Sequence, residues 1–263
     1  MARSLAIANL VALAAVVLLV AAPMAAAAGS TTLTVDIYDP RAALWQDPDK
    51  LACTSAAAQM MLNVVAYEAT AEYFAPPDGR DVGPAPRWRP DTSHGTTEAM
   101  LAYERANMTM LAASAGSDPH GWRNALNYFG WGSIKAGAYE DAAYLSFDAA
   151  ARAVVVALAQ SRRPVGILAR GGVHAQLVTG FVVSGAYPRA GADFSIVGVY
   201  VTDPLRSAGL RDAFVTLDTW RAGAATISFT PYLQGDSPFR DGIDGNTGTA
   251  EWYGKWVIIE PVA

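Results

Sequence analysis

Apolar residues recur along this chain with two different periods, and the change from one to the other divides it. Beginning at Cys53, the apolar residues Ala57, Met60, Met61, Val64 and Val65 follow at steps of three and four, and Glu68 continues the same helical face. The spacing predicts a helix from 53 to about 73, stopped by Pro76-Pro77-Asp78-Gly79. Met100, Leu101, Met108 and Leu111 predict a second helix over 96–113. Ser117-Asp118-Pro119 has the form of a helix start, with Asp118 as cap and proline in the first turn. That helix carries Trp122, Leu126 and Phe129 and ends at Gly130. Ser146-Phe147-Asp148 then leads into an alanine- and valine-rich helix over 149–160.

From Pro164 onward the period is that of strands. One short apolar run covers 165–169. A second covers 173–183, bounded by Gly171-Gly172 and Gly185. A third covers 194–202 and is closed by Asp203-Pro204. Residues 33–38, 226–229 and 255–260 are further strand candidates, while 39–49 and 76–95 have loop composition. Helices come first and strands afterwards, with no βαβ alternation and no glycine-rich nucleotide loop. The pattern predicts an α+β fold with N-terminal helices packed on a C-terminal antiparallel sheet.

Composition narrows the function classes. The chain has 263 residues, 52% of them hydrophobic and 16% charged, which is enough to bury a substantial core. Its formal charge of -5 and the lack of any lysine or arginine run argue against a nucleic-acid or anionic-membrane partner. Arg3, the apolar stretch 5–22 and the small residues Ala25 to Ala28 together have the layout of a secretory signal. The expected organisation is a cleaved signal at 1–28, with an uncleaved membrane anchor as the alternative, followed by a single domain over 29–263. An exported protein that does not touch the membrane after cleavage follows from this reading.

Export changes the meaning of the single cysteine. Cys53 cannot form an intramolecular disulfide, so it is either a reactive thiol or a small buried hydrophobe. In the first turn of a helix it would sit beside unpaired backbone N–H groups at the positive end of the helix dipole, and both favour the nucleophilic thiolate. A thiol nucleophile needs a base, and three histidines are available. His94 and His120 read as loop or capping residues. His174 opens an apolar strand directly after Gly171-Gly172-Val173, where glycines let a neighbouring chain or a substrate come close. Asp203 ends the next strand, so two adjacent antiparallel strands would set His174 and Asp203 side by side. The bland alternatives are a hydrogen-bonded core histidine and an ordinary Asp-Pro turn. One cysteine and three scattered histidines give no zinc spacing. Asp241-Gly242-Ile243-Asp244-Gly245-Asn246 lacks the closing glutamate of a calcium loop. No metal or cofactor is expected. Trp45 and Trp122 are expected in the core rather than in a cleft.

A cysteine on a helix, then Gly-Gly-x-His on a strand, then Asp-Pro closing the following strand resembles the papain-like cysteine peptidase superfamily. Within it the likeness is to the bacteriocin-processing peptidases, which act on double-glycine leaders, and to their secreted bacterial relatives. It is carried by Leu51 to Met60, by Gly172 to Phe181 and by Val199 to Pro204. The resemblance implies a thiol hydrolase acting on a peptide or protein substrate, with Cys53 as nucleophile, His174 as base and acid, and Asp203 as the orienting residue. It also implies a glutamine ahead of the cysteine that donates to the oxyanion, for which Gln46 is the candidate. Two positions depart from the family pattern: Gln46 lies seven residues before Cys53 where six is usual, and Thr54 replaces the glycine after the cysteine. The alternatives are an amidase or a transglutaminase-like acyl transferase on the same skeleton, and a secreted binding or structural protein that has kept the fold without the activity.

Overall fold

The computed structural model describes residues 31–44, 51–69, 97–109, 116–130, 138–223, 226–234 and 251–262. The expected signal at 1–28, Trp45 and Gln46, the 76–95 loop with His94, and the 241–246 turn lie outside these residues. Among the described residues there are five α-helices: α1 (Cys53–Ala69), α2 (Thr97–Ala106), α3 (Pro119–Phe129), α4 (Phe147–Ser161) and α5 (Leu217–Ala222). Seven strands accompany them: β1 (Thr32–Asp36), β2 (Tyr139–Tyr144), β3 (Val165–Ala169), β4 (His174–Gly185), β5 (Phe194–Thr202), β6 (Ala213–Thr216) and β7 (Trp256–Pro261). The class is α+β, with every pairing between these strands antiparallel.

The sheet runs β2-β7-β3-β4-β5-β6. β3 pairs with residues 174–178 of β4 and β1 with residues 180–184, while β5 lies along 177–185. β1 and β3 therefore share one edge of β4, end to end, and β5 takes the other. β4 is thereby hydrogen-bonded along both edges, and its side chains enter a core on each face, which accounts for its largely apolar sequence.

Helices cover both faces. On one face, Leu168, Ala175, Leu177, Val257 and Ile259 pack with Met61, Leu62 and Val65 of α1 and with Trp122, Leu126 and Phe129 of α3. On the other, Val165, Ile167, Val178, Phe181 and Ile258 pack with Phe147, Val154, Val155 and Leu158 of α4. Trp122 is fully buried, as expected of a core residue. α1 is more enclosed than its one-sided apolar spacing suggested. Every residue from Thr54 to Val65 is buried, including Ser55, Gln59 and Asn63. Its run of alanines provides the small surface that lets neighbours approach on all sides.

The cap at Asp118 follows the sequence signal, whereas α4 starts two residues before the expected 149, with Ser146 as its cap. Asp118 Oδ1 accepts from the Gly121 N–H at 2.8 Å, with Pro119 next to it. Ser146 Oγ accepts from the Ala149 N–H at 3.2 Å and starts α4 at Phe147. The strand expected at 226–229 does not form. Its carbonyls go elsewhere: Ser228 O accepts from the Arg170 N–H (2.7 Å) and Thr226 O from Gln176 Nε2 (2.7 Å). Phe229 is buried and stacked on Trp220. β2, β6 and α5 lacked a periodic signal. β2 (Tyr-Glu-Asp-Ala-Ala-Tyr) has no apolar alternation and is held by its full register with β7, Tyr139 to Pro261 through Tyr144 to Trp256.

The Gly171-Gly172 pair closes a short 3-10 turn (Arg170–Gly172) between β3 and β4. Gly172 has φ +91°, and a Cβ built there would run into the ring of Tyr232. A neighbouring chain does approach at these glycines: it is the segment carrying Tyr232 and Leu233. Gly172→Ala combines backbone strain with a steric clash, and we expect it to lower the unfolding free energy by about 2–4 kcal/mol in urea denaturation.

Candidate active site

β4 begins at His174 and β5 ends at Thr202, and the register sets Leu177 opposite Thr202. Asp203 therefore falls beside the first residues of β4. His174 and Gln176 are two apart on a strand and share a face, and both meet this carboxylate. His174 Nε2 lies 2.8 Å from Asp203 Oδ1, and Gln176 Nε2 donates to Oδ2 at 2.8 Å. The Leu205 N–H donates to Oδ1 at 2.6 Å, so Asp203, with no exposed surface, serves three donor groups. Gln176 also donates to Thr226 O, which fixes its own plane. Just beyond, the register of β4 on β5 slips between Val178 and Gly180, a bulge at Thr179.

The Cys53 side chain lies beside His174, close enough to raise its imidazole. It stands half-buried at the first residue of α1, whose first-turn amides have no intrahelical acceptor. Burial pushes the His174 imidazole down. The hydrogen bond to Asp203 and the nearby Cys53 thiol, with the electrostatic attraction of both, more than offset it and raise the imidazole to about 9. An imidazole held between a thiol and a buried carboxylate, protonated at neutral pH, can stabilise a thiolate on one side and deliver a proton on the other.

Cys53, His174 and Asp203 are thus brought together from a helix start, a strand start and a strand end. Gln46 lies outside the described residues. Three further residues complete the surroundings. Gln176 had one sequence signal, a polar residue spaced by two from the histidine in an apolar run. Arg211 and Glu104 had none. The Arg211 guanidinium donates to Leu44 O and to Met60 Sδ (3.2 Å). Burial pushes it down to about 10 against the favourable charges of Tyr38 and Asp203. Glu104, fully buried on α2, accepts from Thr54 Oγ1 at 2.6 Å. Thr54, directly after the cysteine, therefore turns its hydroxyl to Glu104. Leu51 and Val173, which precede Cys53 and His174 by two residues and by one, are exposed apolar side chains.

His120 is not the capping residue that the sequence suggested, because Asp118 takes that role. Its ring is buried in the first turn of α3 and faces two carboxylates, Asp141 and Glu251. One ligand atom from each of the three lies within 4.8 Å of the others. The scattered histidines gave no metal spacing, yet the fold assembles a set of groups able to hold a cation. No protein-family model, curated protein or solved structure matches the chain.

Proposed function

We propose that the chain is an exported thiol hydrolase of the papain-like kind, cleaving an amide bond in a peptide or protein. The reading is carried by one observation, the hydrogen-bonded His174–Asp203–Gln176 chain with Cys53 beside the imidazole. In this reading the Cys53 thiolate attacks the amide carbonyl carbon, and the carbonyl oxygen becomes an oxyanion held by the first-turn amides of α1, with Gln46 as a further donor. The C–N bond breaks as the His174 imidazolium protonates the departing amine, leaving a thioester on Cys53. His174, now neutral, takes a proton from water. The hydroxide adds to the thioester and releases the acid, and the thiolate–imidazolium pair is restored. Asp203 holds His174 in orientation, and Gln176 holds Asp203. The exposed Leu51 and Val173, close in sequence to Cys53 and His174, suit a substrate with apolar side chains.

The deciding experiment is the rate of iodoacetamide alkylation of Cys53 across pH, with wild-type protein and His174→Ala. A thiol paired with an imidazolium remains reactive at about pH 5.5, where an isolated thiol is almost wholly protonated. We expect wild-type to be alkylated there at least tenfold faster than His174→Ala. Equal rates, or an inert thiol in both proteins, would overturn the catalytic reading and favour a binding protein on the same fold.

A further inference from the structure

His120, Asp141 and Glu251 come from α3, from β2 and from the segment leading into β7. His120 Nε2 lies 2.9 Å from Glu251 Oε1 and 3.4 Å from Asp141 Oδ2. Zinc ligands sit about 2.0–2.2 Å from the ion, which puts neighbouring donor atoms of a tetrahedral set roughly 3.4 Å apart. The 3.4 Å separation equals that edge, and the 2.9 Å one is about 0.5 Å short of it.

Orientation supports the same conclusion. His120 Nδ1 is hydrogen-bonded to Thr109 Oγ1, and Thr109 is itself held by its N–H donating to Asp118 Oδ2 (2.8 Å). When the ring carries its proton on Nδ1, its Nε2 lone pair faces the two carboxylates, and a cation can take the place of a proton among the three atoms. Asp141 is steered from behind: Arg123 Nη1 donates to Oδ1 (2.9 Å) and Trp252 Nε1 to Oδ2 (3.0 Å). The Trp252 ring also packs edge-on against His120, with centroids 4.6 Å apart. The side chains of His120 and Asp141 are each 5% exposed, whereas that of Glu251 is 43% exposed, so the cluster opens to solvent on one side only. That side gives an ion its path and leaves room for water as a further ligand.

We propose that His120, Asp141 and Glu251 bind a divalent transition-metal ion, Zn²⁺ by preference, which clamps the segment leading into β7 onto α3 and β2. One imidazole and two carboxylates suit zinc better than calcium or magnesium, which prefer all-oxygen sites. In a chain with one cysteine, the ion supplies the crosslink that a disulfide cannot. The site is independent of the Cys53 chemistry, and its test is designed to remain so.

The test uses the full chain carrying Cys53→Ala, which keeps zinc away from the thiol. After treatment with a chelator, the protein is titrated with ZnCl₂ by calorimetry, and thermal unfolding is followed with and without zinc. We expect one equivalent to bind and Tm to rise by roughly 5 °C at saturating zinc. Glu251→Gln changes an accessible side chain, so its zinc-free Tm should stay within about 2 °C of the parent while zinc affinity falls at least tenfold. No saturable binding and no Tm shift would overturn the site and leave His120 as a partner of the two carboxylates only. A shift that persists unchanged in Glu251→Gln would also overturn it, by placing the ion elsewhere.

Discussion

In Asp203→Ala the unfolding free energy falls by about 3–5 kcal/mol, measured by urea denaturation at pH 7. Asp203 has no exposed surface, and its carboxylate is the acceptor for His174 Nε2, Gln176 Nε2 and the Leu205 N–H. The substitution leaves these donors around a small cavity and removes the charge that faces the imidazole. Asp203→Asn keeps the shape and costs less stability, but it too removes the charge. The midpoint of the His174 imidazole, followed by proton NMR, then drops from its wild-type value of about 9 in either variant. The direction follows because two of the causes that raise it are gone, while burial still pushes it down and only Cys53 still raises it.

Linkage makes the same change visible in stability. The His174 value is raised in the fold, so its stabilising contribution is complete below about pH 6.5, the unfolded value. It is lost as pH rises through about 9. Wild-type should therefore lose stability across that window, and the Asp203 variants should lose much less. In the hydrolase reading, Asp203→Asn also lowers kcat by roughly two to four decades, because the amide lacks the charge that stabilises the imidazolium and its NH2 group cannot accept a hydrogen bond. An Asp203→Ala protein within about 1 kcal/mol of wild-type, with an unshifted His174 midpoint, would contradict the arrangement.

Glu104→Gln is expected to do the opposite, stabilising the protein as pH rises. Burial pushes the Glu104 carboxyl up to about 8. The Asp118 charge adds to this, while the Thr54 and Ser117 hydroxyls and Arg105 work against it. Thr54 Oγ1 occupies Oε2, and Oε1 is buried without a hydrogen bond. A carboxyl raised in the fold contributes fully below its unfolded value, about 4.5, and that contribution is lost as pH rises through about 8. At pH 7 the cost of keeping it protonated is roughly 3 kcal/mol. Glutamine retains an acceptor for Thr54 and does not titrate, though its amide introduces a buried donor of its own. The informative quantity is therefore the difference between variant and wild-type at two pH values. Urea denaturation should show Glu104→Gln gaining about 3 kcal/mol or more on wild-type between pH 4.5 and pH 8. A difference that does not change with pH would show that Glu104 is not held neutral. Because Thr54 is next to Cys53, the same titration changes the charge beneath the start of α1.

The sequence by itself determined the α+β class, the helix starting at Cys53, the cap at Asp118, and three central strands within two residues of their observed bounds. These are local properties. Helical spacing, a capping oxygen next to a proline, and apolar runs between glycines act over a few residues, so the sequence displays them directly. The His174–Asp203 pair was also legible, because antiparallel neighbours with a short connection place the start of one strand beside the end of the other.

Only the tertiary structure decided the rest. β2 is a strand because β7 supplies its hydrogen bonds, and 226–229 is not one because Arg170 and Gln176 take its carbonyls. Glu104 reaches Thr54 across fifty positions of sequence, and Arg211 reaches Met60 across about 150. His120, Asp141 and Glu251 meet only once α3, β2 and the approach to β7 have packed. In each case the partner is chosen by packing between distant segments, for which no local period or spacing carries a signal. The chemistry of each residue could be read from its type, whereas its place in a site depended on what the fold brought to it.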